Sequence, residues 1–265
     1  MVAIASLPSI PSQVRTLIRQ GEFRETTSGV APGYAQANLA VLPKELAFDF
    51  MIFCQRNPKP CPILEVLESG QTEPRLIAPG ADVRYDIPRY RIYRDGVLDQ
   101  EVDDISGYWQ DDLVTFLLGC SFSFEYAMVN AGIELRHMTT RETVSMYISN
   151  IETSRSGVFS GPMVVSMRPI AQEKVVKAVQ VTSRYPSVHG APVHIGDPEA
   201  IGIRDLSKPD FGDAVEIKEG EVPMFWGCGV TPQAVAMKSR PSLMITHAPG
   251  FMFITDKRDE DYAVI

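Results

Sequence analysis

The sequence predicts an α/β fold in two parts: a larger three-layer α/β/α part with a parallel βαβ unit, and a smaller two-layer α+β part. Three observations predict it. Helical and strand periodicities alternate along the chain. Val222 to Thr246 reads as strand, glycine turn, helix, strand. Residues 109–202 read as a block of α-β-β-α-β. Residues 1–108 and 203–265 then form the larger, discontinuous part, and 109–202 the smaller inserted one.

The elements follow in order. Ser12 to Gln20 reads as a helix: Ser12 can cap it, Val14, Leu17 and Ile18 form its apolar stripe, and Gly21 stops it. A Gly-rich polar loop, Thr26 to Asn38, leads to Pro43, which suits a first helical turn. Leu46, Phe50, Phe53 and Cys54 then share one face until Asn57-Pro58 ends the helix. Ile63 to Val66 reads as a strand, and Asp95-Gly96 after Arg89 to Arg94 marks a hairpin. Asp111 to Met128 reads as helical with a break at Gly119-Cys120-Ser121. Strands follow at Tyr147 to Ile151 and Met163 to Met167, then a helix from Ala171 to Thr182. In the last segment Val222 to Trp226 is a buried strand and Gly227-Cys228-Gly229 a tight turn. Thr231 and Pro232 open a helix, and Ser242 to Thr246 is the next strand.

Composition narrows the function. The chain of 265 residues is 45% hydrophobic and carries 25 basic against 33 acidic side chains, a net −8. This is the make-up of a globular protein with a sizeable core, and it excludes disorder, collagen and coiled coil. Nucleic acid and anionic membrane are not expected partners, since both need a basic footprint. The uncharged run Leu113 to Phe124 is 12 residues long, against the ~20 that a spanning helix needs. The start, MVAIASLPSIPSQVR, lacks the pattern of a secretory leader, so a soluble cytoplasmic protein is expected. The four cysteines, Cys54, Cys61, Cys120 and Cys228, form no CxxC pair, so neither zinc nor a disulfide framework is expected. No metal or cofactor is predicted, and a homo-oligomer is expected from the frequency of symmetric assemblies.

Five places could carry chemistry. The turn GCGVTP sets Gly227, Gly229 and Thr231 at a helix N-terminus, where free N–H groups and the helix dipole favour an anion and lower the pKa of Cys228. A small buried turn is the alternative there. His247 follows the next strand, and in a parallel sheet it would stand on the same edge as Cys228, as an acid/base or nucleophile pair. In RYPSVHGAPVH, proline and glycine fix a rigid loop that could position His189, while Arg184 could hold a carboxylate. In NIETSRSGVFSGPM, Arg155 and Ser156 sit in a donor-rich loop able to grip an anion, or simply in a polar connection. In LGCSFSFEYAM, Glu125 stands among aromatics; burial would raise its pKa and make it a general acid, and exposure would make it unremarked surface. Neither GxGxxG nor GxSxG is present.

Several stretches together resemble the D-glutamate cyclase family: GYAQANLAVLP, FCQRNPKPCPILEV, FLLGCSFSFE, NIETSRSGVFSGPMVVSMRP, SRYPSVHGAPVHIGDP and PMFWGCGVTPQAVAMKSRPSLMITHAPGFMFITD. The likeness runs from about Gly33 to Asp256. It implies a two-part α/β architecture and a hydro-lyase acting on a small carboxylate substrate, D-glutamate closing to 5-oxo-D-proline and water. For that reaction Arg155 or Arg184 would hold carboxylate, and His189 or His247 would take the amine proton. Amides from Gly227 to Gly229 would stabilise the oxyanion. Two rival readings remain open: a non-catalytic small-anion sensor, and an amidohydrolase or acyl transferase working through Cys228.

Overall fold

A computed structural model describes residues 7–140 and 142–264. The first six residues, on which the reading of an absent secretory leader rests, lie outside the described residues. Two antiparallel sheets organise the chain. Helix α1 (Pro11–Arg19) leads to β1 (Tyr34–Pro43), α2 (Lys44–Arg56), β2 (Ile63–Leu67), and the hairpin β3 (Tyr90–Arg94) and β4 (Val97–Val102). Strand β5 (Leu113–Gly119) is followed by α3 (Phe122–Asn130), α4 (Arg136–Thr140), β6 (Ser145–Glu152), β7 (Pro162–Ala171) and α5 (Val175–Ser183). The chain closes with β8 (His194–Ile195), β9 (Glu221–Gly227), α6 (Thr231–Ser239), β10 (Met244–His247) and β11 (Phe253–Arg258).

The first sheet runs β2-β5-β1-β10-β3-β4, with β11 also on β1. Strand β5 covers one edge of β1 from Ala37 to Pro43. The other edge is shared, β10 pairing at Ala40 and Val41 and β11 at Tyr34 to Ala37. The period-two alternation of β1 sends Ala37, Leu39 and Val41 to one core and Ala40 and Leu42 to another. The second sheet runs β6-β7-β9-β8.

Several elements follow the sequence reading. Phe50, Phe53 and Cys54 are the buried face of α2. Asp95 and Gly96 both take positive φ, as a two-residue hairpin turn requires. The α/β class holds, but its detail differs. Every strand pair among the described residues is antiparallel, so the segment Val222 to Thr246 is no parallel βαβ unit. Strand β9 lies in the second sheet and β10 in the first, and α6 passes between them. The reason is that Thr231 to Ala236 are buried all round, so this stretch has no polar face to turn to solvent. Nor is the first sheet covered by helices on both faces. On the side away from α2, Ile77, Ala78, Ala81, Val83 and Ile87 from the irregular stretch between β2 and β3 fill the core.

The run from Leu113 to Gly119 is a strand, not a helix: all seven of its residues are buried, and a short continuous apolar run has no period to separate the two. Sheet membership therefore crosses the predicted boundaries. Strand β5, placed in the inserted block, pairs in the first sheet, and β9, placed outside it, pairs in the second. Ser12 lies one position inside α1, which Ile10 precedes without a side-chain cap, and Thr231 is likewise the first residue of α6 rather than its cap.

Gly119, at the end of β5, marks a close approach. A Cβ there would stand 2.1 Å from the Ser187 carbonyl oxygen, which is backbone and cannot swing away. Gly119→Ala should lower stability by about 1–3 kcal/mol or more, while Gly107→Ala, with nothing within 4 Å, should stay within about 0.5 kcal/mol. Urea unfolding of the two variants checks this.

Candidate functional site

The polar centre of the molecule ties the second sheet to α3 and α4. Arg168 of β7 is fully buried. Its Nε donates to Glu125 Oε1 of α3 at 3.0 Å, and its Nη2 reaches the same oxygen and Ser121 Oγ, the latter at 2.9 Å. Its Nη1 donates to Ser166 Oγ at 3.1 Å. His137 Nε2 of α4 meets Glu125 Oε1 at 2.9 Å. Phe124 and Trp226 each hold their ring centroid 5.4 Å from the guanidinium carbon. Burial by itself pushes the Glu125 carboxyl up, but His137 and Arg168 more than reverse that and hold it below its usual range. The general-acid role expected of Glu125 therefore does not fit: it is buried, but it is a carboxylate.

The glycine turn after β9 is tied down beside this centre. Cys228 N–H donates to the Val164 carbonyl at 2.9 Å. Thr231 Oγ1 donates to the Cys228 carbonyl at 2.7 Å and accepts from Val164 N–H at 3.0 Å, so its hydroxyl is committed to the fold rather than to a ligand. A Cβ on Gly229 would overlap the Asn38 carboxamide, whose Nδ2 donates to the Gly119 carbonyl at 2.6 Å. A Cβ on Gly227 would stand 3.0 Å from the Lys59 carbonyl. The glycines thus admit close neighbours, and the Cys228 amide expected to serve an oxyanion is consumed. Burial pushes the Cys228 thiol up to about 11, the opposite of the expected activation, and pushes Cys120 higher still.

The two histidines separate. His247 ends β10 in the first sheet and Cys228 follows β9 in the second, so they share no sheet edge, and no hydrogen bond joins them. His247 Nδ1 lies 3.1 Å from the Leu39 N–H and 3.4 Å from the Leu39 carbonyl, so the Leu39 backbone accommodates either tautomer. His189 is fixed: its Nδ1 lies 2.6 Å from the Lys59 carbonyl and must donate, leaving Nε2 a bare lone pair. Both Nε2 atoms are buried without a protein partner. Burial pushes each ring down to about 4, against the pull of a backbone carbonyl, with Arg168 and Lys59 adding to the drop at His189 and Arg91 at His247.

Only one of these histidines lines a cavity among those described. His189, Lys59, Pro58, Ser183, Pro186 and Ala191 surround a space of about 210 Å³. Lys59 Nζ donates to the carbonyls of Ala191 at 2.7 Å and His189 at 3.2 Å, and burial lowers its pKa. His189 holds φ at +84°, a left-handed backbone that costs a side-chain-bearing residue energy and is common at working sites.

The expected anion grips lie elsewhere. Arg155 is exposed and its Nε donates to the Gly157 carbonyl at 2.9 Å. Ser156 is buried and its N–H pairs with the Phe159 carbonyl at 3.0 Å. This loop instead plugs the fold, with Phe159 packed on Phe50 at 5.1 Å between ring centroids. Arg184 is exposed; its carbonyl accepts from the Val264 N–H at 2.7 Å and its Nε donates to the Val264 carbonyl at 3.3 Å. Sequence reasoning missed Arg168, Lys59, Asn38 and His137. A charge inside the apolar run MVVSMRPI was the available signal for Arg168; nothing local distinguished the others. Among the described residues no group of three or more His, Cys, Asp or Glu side chains could hold a metal ion, and no helix is long and apolar enough to cross a membrane.

Fold and site together define a two-sheet α/β protein with a sealed ionic centre and a small cationic cavity at its rim. A family model described as D-glutamate cyclase matches residues 114–256. A protein of Stutzerimonas stutzeri strain A1501, named "Putative hydro-lyase", is 64% identical over 255 residues, 96% of each chain. Relatives with names of the same kind occur in Thermoanaerobacter sp. strain X514, 66% identical over 94% of each chain, and in Bacillus subtilis strain 168, 62% identical over 96% of this chain and 99% of that one. The chain belongs to the D-glutamate cyclase family. Among solved structures, a nitrogen repressor-like protein of Methanococcus jannaschii aligns over 88% of this chain with a TM-score of 0.39 at 11% identity, too slight a likeness to define the fold.

Three measurements check the site. Arg168→Met should destabilise by about 3–5 kcal/mol, because it leaves the buried Glu125 with His137 as its remaining partner. Since Glu125 titrates lower folded than unfolded, its contribution is complete above the ordinary carboxyl range and fades as pH falls through it; Glu125→Gln should flatten the acid limb of a stability-against-pH curve. Iodoacetamide at pH 8 should modify Cys228 at least about 100-fold more slowly in the folded protein than in urea, as followed by peptide mass spectrometry.

Proposed function

We propose that the protein is a hydro-lyase that closes D-glutamate to 5-oxo-D-proline and water in the cavity shared by Lys59 and His189. The observation that carries this reading is His189 Nε2, a bare, buried base with no protein partner on a residue lining a cavity of about 210 Å³ beside an ammonium. The family and the names of its relatives support the reaction class.

The chemistry follows from what cyclisation needs. The Lys59 ammonium attracts a substrate carboxylate, whose charge in turn favours protonation of the His189 ring. With the chain folded, amine and γ-carboxyl already share one molecule, which removes much of the entropic barrier. The substrate ammonium first passes one proton through His189 to a γ-carboxylate oxygen, giving amine and carboxylic acid. His189 then accepts a second proton from the amine as nitrogen attacks the γ-carbon and returns it to the same oxygen, which leaves as water. One C–N bond forms, one C–O bond breaks, and the ring ends unprotonated as it began. His247 is the weaker choice because no described cavity reaches it. A thiolate mechanism is disfavoured by the raised Cys228 thiol.

Proton NMR of the protein with D-glutamate should show 5-oxo-D-proline accumulating, with L-glutamate unchanged. His189→Asn, a side chain that tolerates left-handed backbone, should lower kcat about 10²–10⁴-fold. Lys59→Met should act mainly on KM. Turnover undiminished by both substitutions would contradict the assignment of the site, and no turnover of folded protein would contradict the substrate.

A further inference from the structure

A second cavity lies on the far side of α3 from the sealed centre. Its volume is about 200 Å³, enough for a compact metabolite, and Gly33, Tyr126, Asn130, Tyr185, Arg258 and Asp259 are among its walls. Two of these groups are unspent. Asp259 is 5% exposed, yet its Oδ1 has no hydrogen-bond partner, a costly state for a buried acceptor. The Arg258 guanidinium stacks flat on the Tyr34 ring, its central carbon 3.9 Å from the centroid. A stacked guanidinium keeps its edge N–H groups available for a planar anion. Among the described residues no carboxylate lies within ion-pair distance of it. The residues of the orphaned acceptor and the stacked donor thus line one small space, with opposite charge preferences.

We propose that this cavity is a second binding site, for a free α-amino acid held as a zwitterion. Asp259 Oδ1 accepts from the ligand ammonium and Arg258 holds the ligand carboxylate through its fork. The size of the cavity restricts it to small amino acids. Burial, then Glu260 and Glu125, push the Asp259 carboxyl up to about 7, with Arg258 opposing them, and Tyr185 stands nearby. The ligand ammonium meets a carboxylate only in the ionised form, so binding strengthens as pH rises through that value. This inference is independent of the reaction proposed for Lys59 and His189.

The test uses glycine as the probe and the amide NMR spectrum of the whole protein as the readout. Glycine should give saturable shifts at Gly33, Tyr126 and Asn130, with affinity about tenfold higher at pH 8 than at pH 6. Acetate and methylammonium, each half of the zwitterion, should bind at least about tenfold more weakly. Arg258→Ala and Asp259→Asn should each weaken glycine binding by at least about tenfold, whereas His189→Asn should leave it unchanged. The Arg258 variant, at an exposed position, keeps the test valid if the Asp259 change disturbs folding. Absence of saturable shifts at these residues, or shifts that survive both substitutions, would overturn the proposal. Loss of binding in His189→Asn would also overturn it, by placing the glycine in the Lys59 cavity.

Discussion

The Arg168–Glu125 ion pair, with His137 on the same oxygen, is the constraint on which the molecule turns. Its members come from β7, α3 and α4, all fully or almost fully buried. Burying such charges costs several kcal/mol each unless geometry and further hydrogen bonds compensate. Here Ser121 and Ser166 take two further guanidinium donors, and Phe124 and Trp226 lie over its faces. A centre so specified permits little variation in how α3 leaves β5 or how β7 crosses it. It therefore fixes Gly119 and the chain after it, where Cys120, Ser121 and the Asn38 carboxamide converge. The same positive charge, with burial, keeps His189 neutral. The ionic centre is a scaffold whose field reaches His189 at the Lys59 cavity.

The GCG turn shows how a sequence signal for function can mark packing instead. Its glycines admit Asn38 and Lys59 at distances no side chain would allow. Thr231 closes the turn onto β7, and α6 is then carried between the sheets. A helix N-terminus is an anion site only where its donors are free; the Cys228 amide and the Thr231 hydroxyl are bonded within the protein.

Local patterns were legible where one physical rule acts alone. The buried face of α2, the Asp95-Gly96 hairpin and the strands around Tyr147, Met163 and Val222 all follow from periodicity and turn chemistry. The elements that misled are those buried on every side. Strand β5 lacks an exposed face to reveal its period, and α6 lacks the polar stripe that would show it lying between two sheets. Pairing direction is a long-range property, so strand-turn-helix-strand reads the same whether the two strands join one sheet or two. Of the candidate site, the SRYPSVHGAPVH loop and His189 were visible, because proline and glycine announce a rigid loop. Lys59 was not: its partners, the carbonyls of His189 and Ala191, lie about 130 residues away in sequence. Arg155 and Arg184 were reasonable anion grips by composition, but both point to the surface or to nearby backbone.

A crystal structure with 5-oxo-D-proline bound tests most directly whether substrate occupies the Lys59–His189 cavity while the ionic centre stays a sealed scaffold. The expected density lies in the Lys59–His189 cavity, with the ligand carboxylate on Lys59 Nζ, His189 Nε2 within hydrogen-bond distance of the ring nitrogen, and the Arg168–Glu125 pair unmoved. Ligand inserted between Arg168 and Glu125, or ordered against Cys228 and Gly229 with the Lys59 cavity empty, would contradict it.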